Sequence, residues 1–225
     1  RVGSKFEKDC YYYNGRILKK YNNKTESVHK FHPLLTQEEL VKLFKDISVK
    51  DRIDEYFKTR FSGVISELDV YFAFKNKKTY SKEDLIQNLE LNKSKKNAVI
   101  MTHAIKDFPH VTNCIFGDYY QWLLNILIIA KENNTVNWLI KPHPTSYLFG
   151  EIGVVEDLMD KLAVKNVKVL PKDFSTSAIP NLADVILTVS GTPGLEFACF
   201  GIPVINAGNS MYSNYGFNIE AKTKE

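Results

Sequence analysis

From residue 98 onward, short β-branched or apolar runs alternate with helix-length amphipathic segments. That alternation is the signature of βα units wound around a parallel sheet. The expected strands are residues 98–102, 138–141, 167–170, 185–189 and 203–206, with helices expected at 119–132, 151–163, 177–183 and 194–200. Each strand runs out into a polar or glycine-rich stretch, at 103–110, 142–146, 172–175, 190–194 and 207–215. In open parallel sheets ligands bind outside the carboxyl ends of the strands, so these five loops are where function is to be sought.

Upstream the pattern is different. Residues 1–32 are rich in Tyr, Asn, Lys and Gly, with turn signals at Asn14-Gly15 and Asn22-Asn23 between segments that fit short strands. Thr36 and Glu39 form a capping box ahead of Leu40, Leu43, Phe44 and Ile47 at helical spacing. A second helix is expected over 50–61, with Ile53, Tyr56, Phe57 and Phe61 on one face, then a short strand over 70–74 and another helix opening at Ser81. Residues 92–96 read as a polar linker.

Composition narrows the function classes. The 225 residues are 44% hydrophobic and 25% charged, which argues for a folded globular chain with a substantial core and against disorder. A net charge of +4, from 30 Lys+Arg scattered among 26 Asp+Glu, makes no basic stripe and speaks against nucleic acid as a partner. The longest apolar run, residues 123–130 broken by Asn125, falls well short of the ~20 residues that cross a bilayer. Cys10, Cys114 and Cys199 are odd in number and lack ligand spacing, which fits neither a disulfide framework nor zinc and suits a reducing cytoplasm. The start at Arg1 and the helix-like ending at Glu220–Glu225 suggest a piece of a longer protein.

Two stretches carry chemistry. In ADVILTVSGTPGLEFACFGIPVIN, residues 183–206, a buried strand delivers Ser190, Gly191 and Thr192 to its carboxyl end, and Gly194 opens a helix whose free N–H groups face the same crevice. Such a turn receives a phosphate, and Glu196 in the first helical turn offers a carboxylate to a ribose diol. The same residues also fit a plain strand-turn-helix connection, with Glu196 placed for dipole reasons alone. In WLIKPHP, residues 138–144, a strand brings Lys141 and His143 to the same edge, and Pro142 and Pro144 restrict the backbone on both sides of the imidazole. His143 so held can donate to a phosphate oxygen, or equally satisfy local carbonyls.

Together the KPHP segment and SGTPGLEFACFGIPVI resemble the donor-binding domain of bacterial surface-polysaccharide glycosyltransferases of GT-B architecture. They are especially similar to the capsule and lipopolysaccharide group that includes the Kdo transferases. The resemblance implies that His143 and Pro144, with Lys141 beside them, and then Ser190, Gly191, Thr192 and Gly194, grip the nucleotide of an activated sugar, CMP-linked and of the CMP-Kdo kind. It assigns Glu196 to the ribose. In the loop MTHAIKDFPH it draws attention to His103, Asp107 and His110 as contacts for donor phosphates or acceptor, with Asp107 a candidate general base; a turn-capping role for Asp107 stays open. The implied division is a partial acceptor-side region over residues 1–94, a smaller α+β part, and a Rossmann-like α/β donor-binding domain over 95–225, truncated at its C-terminus.

The partners so implied are a nucleotide sugar and a glycan acceptor, with peripheral association at the inner membrane or with other polysaccharide-assembly proteins. No tightly bound cofactor is implied, and no metal, because no DxD-like carboxylate pair stands at a strand end. Three readings compete with glycosyl transfer: a CDP-glycerol glycerophosphotransferase, a UDP-GlcNAc 2-epimerase-like enzyme, and a non-catalytic scaffold of the same fold. Residues 208–216, with Tyr212 and Tyr215, read as a loop able to close over a ligand.

Overall fold

A computed structural model describes residues 10–14, 17–21, 35–62, 68–106, 114–210 and 212–224. The chain divides into two compact units, Arg1–Leu40 and Val41–Glu225. In the first, β1 (Cys10–Asn14) and β2 (Ile17–Tyr21) pair antiparallel with Asn14 opposite Ile17; Gly15 of the Asn-Gly signal lies outside the described residues. The capping box also forms. The Thr36 N–H donates to Glu39 Oε2 at 2.7 Å and the Glu39 N–H to Thr36 Oγ1 at 3.2 Å, which starts α1 (Gln37–Lys45) across the boundary between the units.

The larger unit opens with α2 (Ile47–Phe61), which begins three residues ahead of the expected helix because the Asp46 side chain accepts the Ser48 N–H at 2.9 Å and caps it. Residues 68–74, where a strand was expected over 70–74, are instead the helix α3 (Leu68–Phe74). Local β propensity yields to packing there: Phe74 is buried, its ring 5.3 Å from that of Phe61. Ser81 caps α4 (Lys82–Asn88) by accepting the Asp84 N–H.

Beyond it stands a six-stranded, wholly parallel sheet made of β3 (Asn97–Met101), β4 (Asn137–Lys141), β5 (Val167–Val169), β6 (Val185–Thr188), β7 (Val204–Asn206) and β8 (Ile219–Glu220). Its order is β5-β4-β3-β6-β7-β8. Counted within the sheet this is 3-2-1-4-5-6, the doubly wound order of a Rossmann-like α/β fold. Winding goes one way from β3 through β4 to β5 and the other way from β6 to β8, leaving a crevice between the carboxyl ends of β3 and β6.

Both faces of the sheet are covered, as the burial of β3 along its whole length and of β4 beyond its first residue requires. On one face Ala98, Ile100, Trp138 and Ile140 pack with Trp122, Leu123 and Leu127 of α5 (Tyr119–Glu132) and Val155 and Leu158 of α6 (Val154–Leu162). On the other, Val99, Leu139, Ile186 and Val204 meet Leu85 of α4, Ile179 and Leu182 of α7 (Ile179–Leu182), and Phe197. The helix expected over 194–200 is a single turn, α8 (Pro193–Glu196), followed by a 3-10 turn at Ala198–Phe200. No helix of the described residues is long and apolar enough to cross a membrane.

Candidate functional site

The carboxyl rim of the sheet gathers the described candidate residues. β4 and β6 are both hydrogen-bonded neighbours of β3, so the His143 and Ser190 loops leave the same edge about 10 Å apart, two strand spacings, with the loop after β3 between them. Asp107 and His110 lie outside the described residues.

His103, in that middle loop, is built into the crevice floor. Its Nε2 accepts the Val189 N–H at 3.2 Å and lies 3.1 Å from Thr188 Oγ1, and its ring stacks on Tyr119 at 4.0 Å. Because a backbone N–H donates to Nε2, the ring proton sits on Nδ1. Burial, with His143 nearby, lowers the His103 pKa to about 3, so the imidazole is neutral at physiological pH. The loop is anchored by Glu151, a buried carboxylate accepting the N–H groups of Ile105 at 3.0 Å and Lys106 at 2.6 Å.

At the end of β4 the two prolines and Thr102 fix His143. Thr102 Oγ1 accepts the His143 N–H at 2.8 Å, and on the ring Nδ1 meets Thr145 Oγ1 at 2.9 Å and the Thr145 N–H at 3.4 Å. With the Thr145 N–H directed at Nδ1, Nε2 carries the proton of the neutral ring. Beside it Lys141 is buried to 5% exposure, its Nζ 5.8 Å from the centre of the Phe174 ring. Burial, assisted by the neighbouring charge of Lys77 and opposed by Asp173, lowers its pKa to about 8. Lys141, His143, Pro144 and His103 all line one cavity of about 280 Å³, walled on its apolar side by Leu170 and Val155.

Ser190, Gly191, Thr192, Gly194 and Glu196 do not line that cavity; they form the neighbouring wall, and His103 joins the two. A Cβ on Gly191 would come 3.2 Å from His103 Cε1 and 3.3 Å from Thr188 Oγ1, so the turn rests directly on the imidazole. Within the turn the Gly194 N–H donates to Gly191 O, and the Leu195 and Glu196 N–H groups donate to Thr192 O. The N–H groups of Gly191 and Thr192 donate to no acceptor among the described residues. Those two form the part of the turn able to receive an anion, and a four-residue helix adds only a small dipole.

Two residues of the turn have partners that sequence reasoning did not supply. Gly194 is a glycine because Tyr212 lies on it: a Cβ there would fall 2.1 Å from the Tyr212 hydroxyl. That hydroxyl donates to Gly191 O at 2.5 Å, and burial raises its pKa to about 12. Tyr212, read as part of a closing loop, is thus a buried strut of the turn. Glu196, read as a ribose ligand, is buried with its Oε1 in ion-pair contact with Arg60 Nε of α2 and within 3.4 Å of the Tyr56 hydroxyl. Arg60 Nη2 in turn donates to Thr192 Oγ1 at 3.4 Å.

The family described as "Capsule polysaccharide biosynthesis protein" matches residues 10–225. None of the curated proteins matches. Among solved structures the chain is similar to two from Thermosulfurimonas dismutans: KpsC, beta Kdo 2,7 transferase, at 16% identity and a TM-score of 0.45 over 74% of this chain and 50% of that one, and KpsC, beta Kdo 2,4 transferase, at 18% identity and a TM-score of 0.48 over 86% and 52%. The chain spans about half the length of each.

Proposed function

Since the chain belongs to the capsule polysaccharide biosynthesis family, we propose that it serves as a glycosyltransferase that moves a sugar from a nucleotide donor, CMP-linked and of the Kdo class, onto a capsule or lipopolysaccharide glycan. The observation that carries this reading is the convergence, on one rim at the switch point of a doubly wound sheet, of an oriented imidazole, a hydroxyl-glycine turn with open N–H groups, and an adjoining cavity. The cavity beside His143, with apolar walls and polar groups at its edge, suits a nucleoside; the phosphate then lies across His103 toward Gly191 and Thr192.

In such a transfer an acceptor hydroxyl oxygen forms a bond to the anomeric carbon while the bond from that carbon to the phosphate oxygen breaks. The electron pair leaves with CMP, and the hydroxyl proton passes to a base, for which Asp107 is the candidate within this chain. Charge grows on the departing phosphate, and preorganised donors aimed at it lower the barrier. His143 Nε2–H, Ser190 Oγ and the Gly191 and Thr192 N–H groups are the donors proposed, with Lys141 supplying positive charge from beneath. No tightly bound metal or cofactor is part of this proposal, and the reaction is assigned to the cytoplasmic face of the inner membrane.

Calorimetry with CMP, CDP and UDP tests the reading. CMP is expected to bind most tightly, and His143→Ala and Ser190→Ala each to weaken it about 10-fold, the worth of one charge-assisted hydrogen bond, with melting temperature nearly unchanged. A preference for CDP or UDP points instead to glycerophosphotransfer or epimerase-like chemistry, and failure of all three at millimolar concentration to shift the melting temperature points to a scaffold.

A further inference from the structure

The proposed phosphate site has a cation close by that belongs to no strand loop. Arg60 comes from the last turn of α2, outside the doubly wound core, and its side chain is 12% exposed against 4% for its partner Glu196. Three observations fix where it stands. Its Nε is held by the Glu196 carboxylate, Nη2 donates to Thr192 Oγ1 at 3.4 Å, and the aromatic face beside it, Phe57 and Phe61, packs on Phe200 with ring centres 5.1 and 5.7 Å apart. A guanidinium presents five N–H donors in a rigid fork. With Nε in ion-pair contact with Glu196 and one Nη2 donor on Thr192, the Nη1 group stands beside a turn whose Gly191 and Thr192 N–H groups have no acceptor among the described residues.

From this geometry we infer that Arg60 is a phosphate-contacting residue of the donor site, held in place by Glu196 and Tyr56, so that α2 brings a cation directly to the hydroxyl-glycine turn. The inference rests on the nucleotide-sugar reading and extends it. A carboxylate buried at 3% exposure is costly unless paired, and pairing it with a cation that reaches the ligand turns that cost into orientation. Glu196 then acts through Arg60 and is a positioning residue.

The test compares CMP with cytidine, which lacks the phosphate, by calorimetry on the whole chain carrying Arg60→Gln, Arg60→Lys, Glu196→Gln, and the double change Arg60→Gln with Glu196→Gln. The double variant leaves no uncompensated buried charge and so guards against misfolding. Arg60→Gln, alone and in the double variant, is expected to weaken CMP about 10-fold or more, to flatten the salt dependence of CMP binding, and to leave cytidine affinity unchanged, while Arg60→Lys recovers part of the loss. Glu196→Gln is expected to weaken CMP less and in the same phosphate-specific way. If the wild-type preference for CMP over cytidine survives Arg60→Gln intact, or both ligands weaken in parallel, the assignment of Arg60 is overturned while the donor-site reading stands. If the wild type binds CMP no better than cytidine, both fall together.

Discussion

Lys141 shows what the rim asks of single residues. Its pKa of about 8 lies below the ordinary 10.5, so between those values the unfolded chain keeps a proton that the folded chain has released, and stability rises with pH across that window. Below about pH 8 the buried charge weighs fully against folding. Lys141→Met is therefore expected to raise the melting temperature at pH 7, by an amount worth about 1–3 kcal/mol, with the advantage shrinking toward pH 10.5, while CMP affinity falls. Thermal melts at pH 7 and pH 10 decide it; a variant less stable at both would mean that the ammonium already has a favourable partner. At Gly194 the argument is steric. A methyl group there would overlap the Tyr212 hydroxyl, so either that buried side chain or the turn has to move, and Gly194→Ala is expected to cost about 1–3 kcal/mol by chemical denaturation. An equal midpoint for the variant would show that Tyr212 can leave its place.

At the scale of elements, five of the six parallel strands were readable within a residue or two, because each is a short apolar or β-branched run bounded by polar loops. β8 was not, since two residues, Ile219 and Glu220, carry no period. α3 was misread because Val70 to Phe74 has β-prone composition and only its packing makes it helical. At the rim, the residue types at 141, 143, 190–192, 194 and 196 pointed to one edge of the sheet, where the structure gathers them, but Arg60 and Tyr212, which contact the turn, and Glu151, which anchors the loop after β3, come from elsewhere in the chain, and one sequence holds no signal for such pairings. Glu151 is the case most open to test. Two backbone N–H groups of the loop after β3 end on its carboxylate, so Glu151→Ala is expected to cost about 1–3 kcal/mol and to make the Ile105 and Lys106 amides exchange with solvent faster than those of β3. Unchanged protection in hydrogen exchange would show that the loop keeps its shape without the carboxylate.

For the molecule as a whole, the division at Leu40 and Val41 has a functional corollary. Every described group assigned to the donor site, from Arg60 and Tyr56 through His103, Lys141 and His143 to the turn at Ser190 and its strut Tyr212, belongs to the larger unit. α1, which spans the boundary, buries none of its residues, and Phe44 is 93% exposed. α2 has its own cap in Asp46, so it does not depend on α1 to begin. A chain shortened to residues 46–225 should therefore fold and bind CMP within about twofold of the full chain. A ligand that binds only the folded state adds about 2.7 kcal/mol of stability at 100 times its dissociation constant. The shortened and full chains should then show the same rise in melting temperature at matched CMP saturation. A shortened chain that folds yet gains nothing from CMP would locate an essential part of the nucleotide site in the first 45 residues, and the assignment of the donor site to the doubly wound unit would have to be abandoned.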